Sequence, residues 1–106
     1  MAWVYLFIAG LLEVVWAYSM KVSDGFSKPA ASAVTIVAMI ASFSLLAFSM
    51  KTLPLGTAYT IWTGIGAVGA FLLGIMILGE QANAMRILAA LLIVSGLVMM
   101  KISSPS

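Results

Sequence analysis

The sequence predicts an all-α membrane protein of four transmembrane helices, and three observations carry that prediction. Of the 106 residues, 64% are hydrophobic and only 8% are charged, whereas a soluble domain keeps roughly a quarter of its residues charged. The apolar residues fall into four runs, each close to the ~20 residues that cross a bilayer as a helix. Three polar breaks separate the runs, so four spans and their loops consume nearly the whole chain. β-Barrel spans would be about half as long and would alternate in polarity, which these runs do not.

The first span is expected over residues 2–20. No basic segment precedes it, no small-residue cleavage site follows it, and Glu13 interrupts it, so it reads as a retained span and not a cleaved leader. The polar stretch from Lys21 to Lys28 ends it. Pro29 suits the first turn of a helix, and the second span follows over 29–50. Lys51-Thr52-Leu53-Pro54-Leu55-Gly56 forms the next turn. The third span covers 57–78, Gly79-Glu80-Gln81-Ala82-Asn83 breaks it, and the fourth covers 84–100. All four belong to one domain, residues 1–106.

Basic residues on the loops normally set orientation. Four helices put both termini and the second loop on one side, with Lys51 and Lys101. The other side carries Lys21, Lys28 and Arg86. Two against three is almost no bias. One reading is a weakly oriented protein; the other is dual topology, with copies inserted both ways and paired antiparallel.

The chemistry concentrates on Glu13. It is the one acidic residue inside a span, and no lysine or arginine inside a span could pair with it. Helical rise puts it within ~3 Å of mid-membrane, where a charge costs at least a few kcal/mol. Desolvation favours the neutral form of a carboxyl group, which allows a proton to come and go near physiological pH. Intramembrane carboxylates usually mark ion or proton pathways, the alternative being a permanently protonated structural acid. Leu6, Ala9, Gly10, Glu13, Trp16, Ala17 and Met20 share one helical stripe. Trp16 serves either as donor or pocket wall beside the carboxylate, or as an interfacial tryptophan near the span end.

In the third span Tyr59, Trp62, Thr63 and Gly66 share a face. Aromatic faces attract cations at roughly 0.5–2 kcal/mol per ring, although Tyr59 and Trp62 also suit an interfacial belt. Gly64, Gly66 and Gly69 with Ala67 and Ala70 admit close helix packing, a hinge at Gly64 and Gly66, or both. Ser42, Ser44 and Ser49 lie in the second span, where most serines bond back to their own helix; spacing does not choose which of them faces Glu13. Ala89, Leu92 and Gly96 make a stripe on the fourth span compatible with helix association. With no cysteine and no histidine, and eight methionines that read as packing filler, no metal or other cofactor is expected. Nor is a nucleic-acid partner. No nucleophile–base pair points to an enzyme.

Size adds one inference. Four helices with one carboxylate scarcely enclose a path across a membrane. Two antiparallel copies would supply two Glu13 side chains and an inverted repeat around a midplane site, which suits alternating access.

Ala9-Gly10-Leu11-Leu12-Glu13-Val14-Val15-Trp16-Ala17 and the run from Lys51 to Gly66 resemble the small multidrug resistance transporters, a resemblance that covers essentially the whole chain. Trp16, three residues after the glutamate, and Trp62-Thr63-Gly64-Ile65-Gly66-Ala67 resemble the guanidinium-exporter subtype, historically called SugE. The polyaromatic-cation subtype usually has a small residue where Trp16 stands. The resemblance implies an antiparallel, dual-topology homodimer in the bacterial inner membrane, surrounded by lipid and exchanging protons for guanidinium. It places Gly10, Trp16, Ser42, Tyr59 and Trp62 around Glu13, and Ala89, Leu92 and Gly96 in the dimer contact. Trp16 and Ser42 would orient the carboxylates. Export of small quaternary ammonium or other drug cations is the alternative, and a non-transporting membrane subunit is a second one.

Overall fold

The computed structural model describes residues 2–103. Four helices account for most of them: α1 (Ala2–Val22), α2 (Pro29–Ser49), α3 (Leu55–Met76) and α4 (Ala84–Ser103). Each has 20 to 22 residues, hence a length of about 30 Å, and each is apolar enough to cross a bilayer. Outward-facing Val37, Ile40, Leu92 and Met99 are 62 to 68% exposed, a surface suited to lipid.

The starts of α1, α2 and α4 fall where the sequence puts them, and the other five helix ends differ by one to three residues. α1 continues to Val22, with Lys21 in its last turn, where a cation complements the helix dipole. α2 starts at Pro29 after an extended Lys28 and stops one residue early, at Ser49. α3 begins at Leu55 because Pro54 is itself the extended cap, and the Ala58 N–H donates to the Pro54 carbonyl at 3.0 Å. It ends at Met76 because the chain folds back: Ile77 and Leu78 both donate to the Leu73 carbonyl, and Glu80 donates to that of Gly74 at 2.9 Å. Gly79 makes the reversal at φ 70°, a left-handed conformation open to glycine at little cost. The Asn83 side-chain oxygen accepts the Arg86 N–H at 2.9 Å, capping α4, and α4 runs past Lys101 to Ser103.

The loop after α1 is a tight left-handed run, with Asp24, Gly25 and Phe26 all at φ between 52 and 71°. Ser23 holds it, its hydroxyl donating to the Met20 carbonyl and accepting the Phe26 N–H.

The helices lie in a row, ordered α2, α1, α3, α4, with one smaller contact between α2 and α3. The result is a slab of 43 × 34 × 16 Å, little more than one helix thick. Small residues set the α1–α3 spacing. A methyl group at Gly10 would stand 2.6 Å from Ile65 Cγ2, one at Gly69 would meet Val14, and one at Gly66 would meet the Glu13 carboxylate. Leu6, Ala9, Leu46, Leu53, Ala58, Ile61 and Trp62 form the buried core, gathered toward the end that carries the α2–α3 loop. α4 has no buried residue and packs its backbone on α3 alone among the described residues.

Candidate functional site

Glu13 stands one residue past the centre of the 21-residue α1, about 1.5 Å along the axis. Its side chain lies across Gly66 of α3, where any Cβ would occupy the carboxylate's place. Gly66 therefore acts as a flat floor of backbone. The Glu13 Oε1 atom is buried and has no hydrogen-bond partner among the described residues. One turn on, the indole Nε1 of Trp16 is in the same condition. Buried polar atoms are nearly always paired, so an unpaired acceptor and an unpaired donor three residues apart single this place out as the candidate site.

Around this pair the three long helices are tied by polar bonds. The Ser42 hydroxyl donates to the Ala9 carbonyl of α1 at 2.7 Å and accepts the Trp62 Nε1–H of α3 at 2.9 Å. Ser42 is fully buried, and its bonds lock α1, α2 and α3 together at Ala9, one turn before Glu13. Ser44 and Ser49 bond back to the Ile40 and Leu46 carbonyls of their own helix. The Ser42 proton goes to the Ala9 carbonyl and not to the Glu13 carboxylate. Trp16 Nε1 makes no hydrogen bond to Glu13 among the described residues.

The aromatic side chains form a connected wall. Tyr59 meets Trp62 at 5.6 Å between ring centroids, Trp62 meets Phe43 edge-on at 5.7 Å, and Phe43 meets Trp16 edge-on at 6.3 Å. Trp62 is buried while Tyr59 is 53% exposed, so the wall opens outward at Tyr59. Phe43 is a member that sequence reasoning missed; its signal was an aromatic ring next to Ser42 in the second span.

Gly10 lies on the α1–α3 seam one turn before Glu13 and receives Ile65. Gly64 receives Leu97 of α4, and α3 runs unbroken through Gly64 and Gly66. Ala89, Leu92 and Gly96 are not gathered around Glu13. All three are exposed on α4, and nothing lies within 4 Å of a methyl group built on Gly96. Gly96 borders a cavity of about 520 Å³ between α3 and α4, shared with Tyr59 and Thr63. Among the described residues no three of His, Cys, Asp and Glu come together.

A carboxylate, a spare N–H and an aromatic wall can receive a cation, and nothing in the group activates a nucleophile. Fold and site together define a multi-pass membrane protein of the transport class. The sequence model of the Small Multidrug Resistance protein family matches residues 1–94, and the chain belongs to that family of bacterial inner-membrane proteins. It is 56% identical over 104 residues to the protein named guanidinium exporter in Escherichia coli strain K12, covering 98% of this chain and 99% of that one. The guanidinium exporter of Yersinia pseudotuberculosis is 57% identical over 104 residues, covering 98% of this chain and all of its own. The guanidinium exporter of Salmonella typhimurium strain LT2 is 56% identical over the same length.

Proposed function

We propose that this chain exports guanidinium in exchange for protons, as an antiparallel homodimer whose two Glu13 carboxylates share the site. The observation that carries the reading is the buried, unpaired Glu13 Oε1 at mid-span. The names of relatives 56 to 57% identical over nearly the full length support the choice of cation.

Guanidinium is planar and always charged, and its N–H groups bond carboxylates in parallel pairs. Two Glu13 side chains would take two edges of the ion. The unpaired Trp16 N–H would bond whichever carboxylate oxygen the substrate leaves open. Trp62, held by Ser42, would offer its face to the bound cation, as would Tyr59. Proton binding neutralises the carboxylates and removes their attraction for the cation, so the two ligands exclude each other. Loss of two protons per bound cation makes the exchange electrogenic and lets an inward proton gradient drive export.

A single slab offers no enclosed interior, and layers of helices normally bury one face against another layer. A second copy, inserted the other way, would cover the Glu13 face. The fourth helices, through Ala89, Leu92 and Gly96, would hold the pair. The near-balance of basic residues on the two sides supports both orientations.

The wall of Tyr59, Trp62, Phe43 and Trp16 favours a second substrate class, small quaternary ammonium ions, which lack N–H donors and depend on ring faces. Solid-supported-membrane electrophysiology on the purified protein tests both readings. Guanidinium is expected to give a current that Glu13→Gln abolishes while the dimer persists. Currents undiminished in Glu13→Gln would refute the mechanism, and silence with every cation would leave the non-transporting subunit as the better account.

A further inference from the structure

Away from Glu13, a cavity of about 300 Å³ opens between the last turn of α1, the C-terminal half of α3 and the start of α4, at the low end of ligand-sized pockets. Its walls are largely apolar, yet its rim carries Lys21, Glu80, Arg86 and Tyr18. These residues mark the membrane–water boundary, because α1 and α3 end and α4 begins there. The charged groups are set by the fold. Glu80 is bent back over α3 by its bond to the Gly74 carbonyl, and its carboxylate fills the notch that glycine leaves at position 74. The Arg86 guanidinium stands 5.3 Å from the Phe71 ring centroid, which draws it inward against the groove. A second cavity of about 260 Å³ shares Phe71 and Arg86 and continues between α3 and α4 past Ala89.

We infer that this cavity binds the headgroup of an aminophospholipid, with the phosphate on Lys21 and Arg86, the ammonium on Glu80, and an acyl chain along the α3–α4 groove. Charge complementarity selects this occupant. Basic pockets between membrane helices take lipid phosphates, but here an acid is fixed beside the two bases. A phosphatidylglycerol headgroup would set a neutral glycerol, and no cation, against Glu80. A phosphatidylcholine headgroup has no N–H to give the carboxylate. Phosphatidylethanolamine meets each charge with its opposite.

The test is native mass spectrometry of the full-length protein from detergent holding equimolar phosphatidylethanolamine, phosphatidylglycerol and phosphatidylcholine with identical chains. Phosphatidylethanolamine is expected to be retained about fivefold over the others, roughly the worth of one charge near the membrane surface. Glu80→Gln is expected to erase that preference. Lys21→Gln with Arg86→Gln is expected to lower retention of all phospholipids, while Lys51→Gln, at the opposite end, changes nothing. In the unmodified protein, stepwise N-methylation of the headgroup is expected to weaken retention in order, a result that needs no variant to fold. Equal retention of the three lipids, a preference for phosphatidylglycerol, or displacement of the lipid by free inorganic phosphate as readily as by phosphoethanolamine would overturn the inference.

Discussion

Gly66→Ala separates the site from the scaffold more sharply than any change at Glu13 itself. A methyl group at position 66 would stand 2.7 Å from Glu13 Cγ and would meet the carboxylate still more closely. The group it meets is the far end of a flexible side chain, so Glu13 can swing aside and the helices need not part. Overpacking a rigid contact costs about 1–3 kcal/mol; here a rotamer change of Glu13 absorbs most of it, and thermal stability should fall by less than about 1 kcal/mol. Binding has no such escape. Losing one charge-assisted hydrogen bond costs about 1.5–3 kcal/mol, which raises the half-saturating guanidinium concentration by roughly 10- to 100-fold. Gly69→Ala supplies the contrast, since its methyl group meets Val14, a branched side chain with little rotameric freedom. That variant should lose stability more than transport. Gly56→Ala, with nothing within 4 Å, is the neutral reference. Concentration-dependent currents and thermal melts on the three proteins provide the comparison. Wild-type guanidinium affinity in a folded Gly66→Ala protein would refute the seating of Glu13 on Gly66 as the working geometry.

Ser42→Ala strands the buried Trp62 N–H and should cost about 1–3 kcal/mol in thermal stability; a Ser42→Ala/Trp62→Phe pair should recover part of that loss, and fully additive effects would deny the bond. Trp16→Phe keeps the ring and removes a donor that has no partner among the described residues, so it should leave the melting temperature within a degree or two while weakening guanidinium binding measured by calorimetry. Because protons and cations compete for Glu13, the half-saturating guanidinium concentration should rise as pH falls; currents measured over a pH series check the direction. Gly96→Ile points into open space and should leave each chain's helicity intact by circular dichroism, yet reduce cross-linking between copies.

The four spans were legible, and Glu13 stood out, because both are local properties: apolar run length, and one charge in an apolar run. Ser42 was not separable from Ser44 and Ser49 by spacing, since all three have the same options on their own helix. Its distinguishing bonds reach 33 residues back to Ala9 and 20 residues on to Trp62, and such distances are set by how helices cross. The Gly66 floor was visible as a small residue, though not as the one under Glu13, for the same reason. Phe43 was passed over because an apolar ring in a membrane span looks like any lipid-facing side chain until its neighbours are known. The end of α3 was misplaced by two residues because Ile77 and Leu78 are apolar enough to continue it, while the reversal depends on backbone bonds to Leu73 and Gly74.

α4 buries no residue and leans on α3 through side chains such as Leu97. Of the four helices it is made last, and its backbone finds only α3 to pack on among the described residues. If a second copy completes it, assembly is a meeting between molecules and follows their density in the membrane. At low expression, export per cell would then grow faster than in proportion to the number of chains made. A cell that doubles its supply would more than double its capacity, a dose response that pairing alone provides.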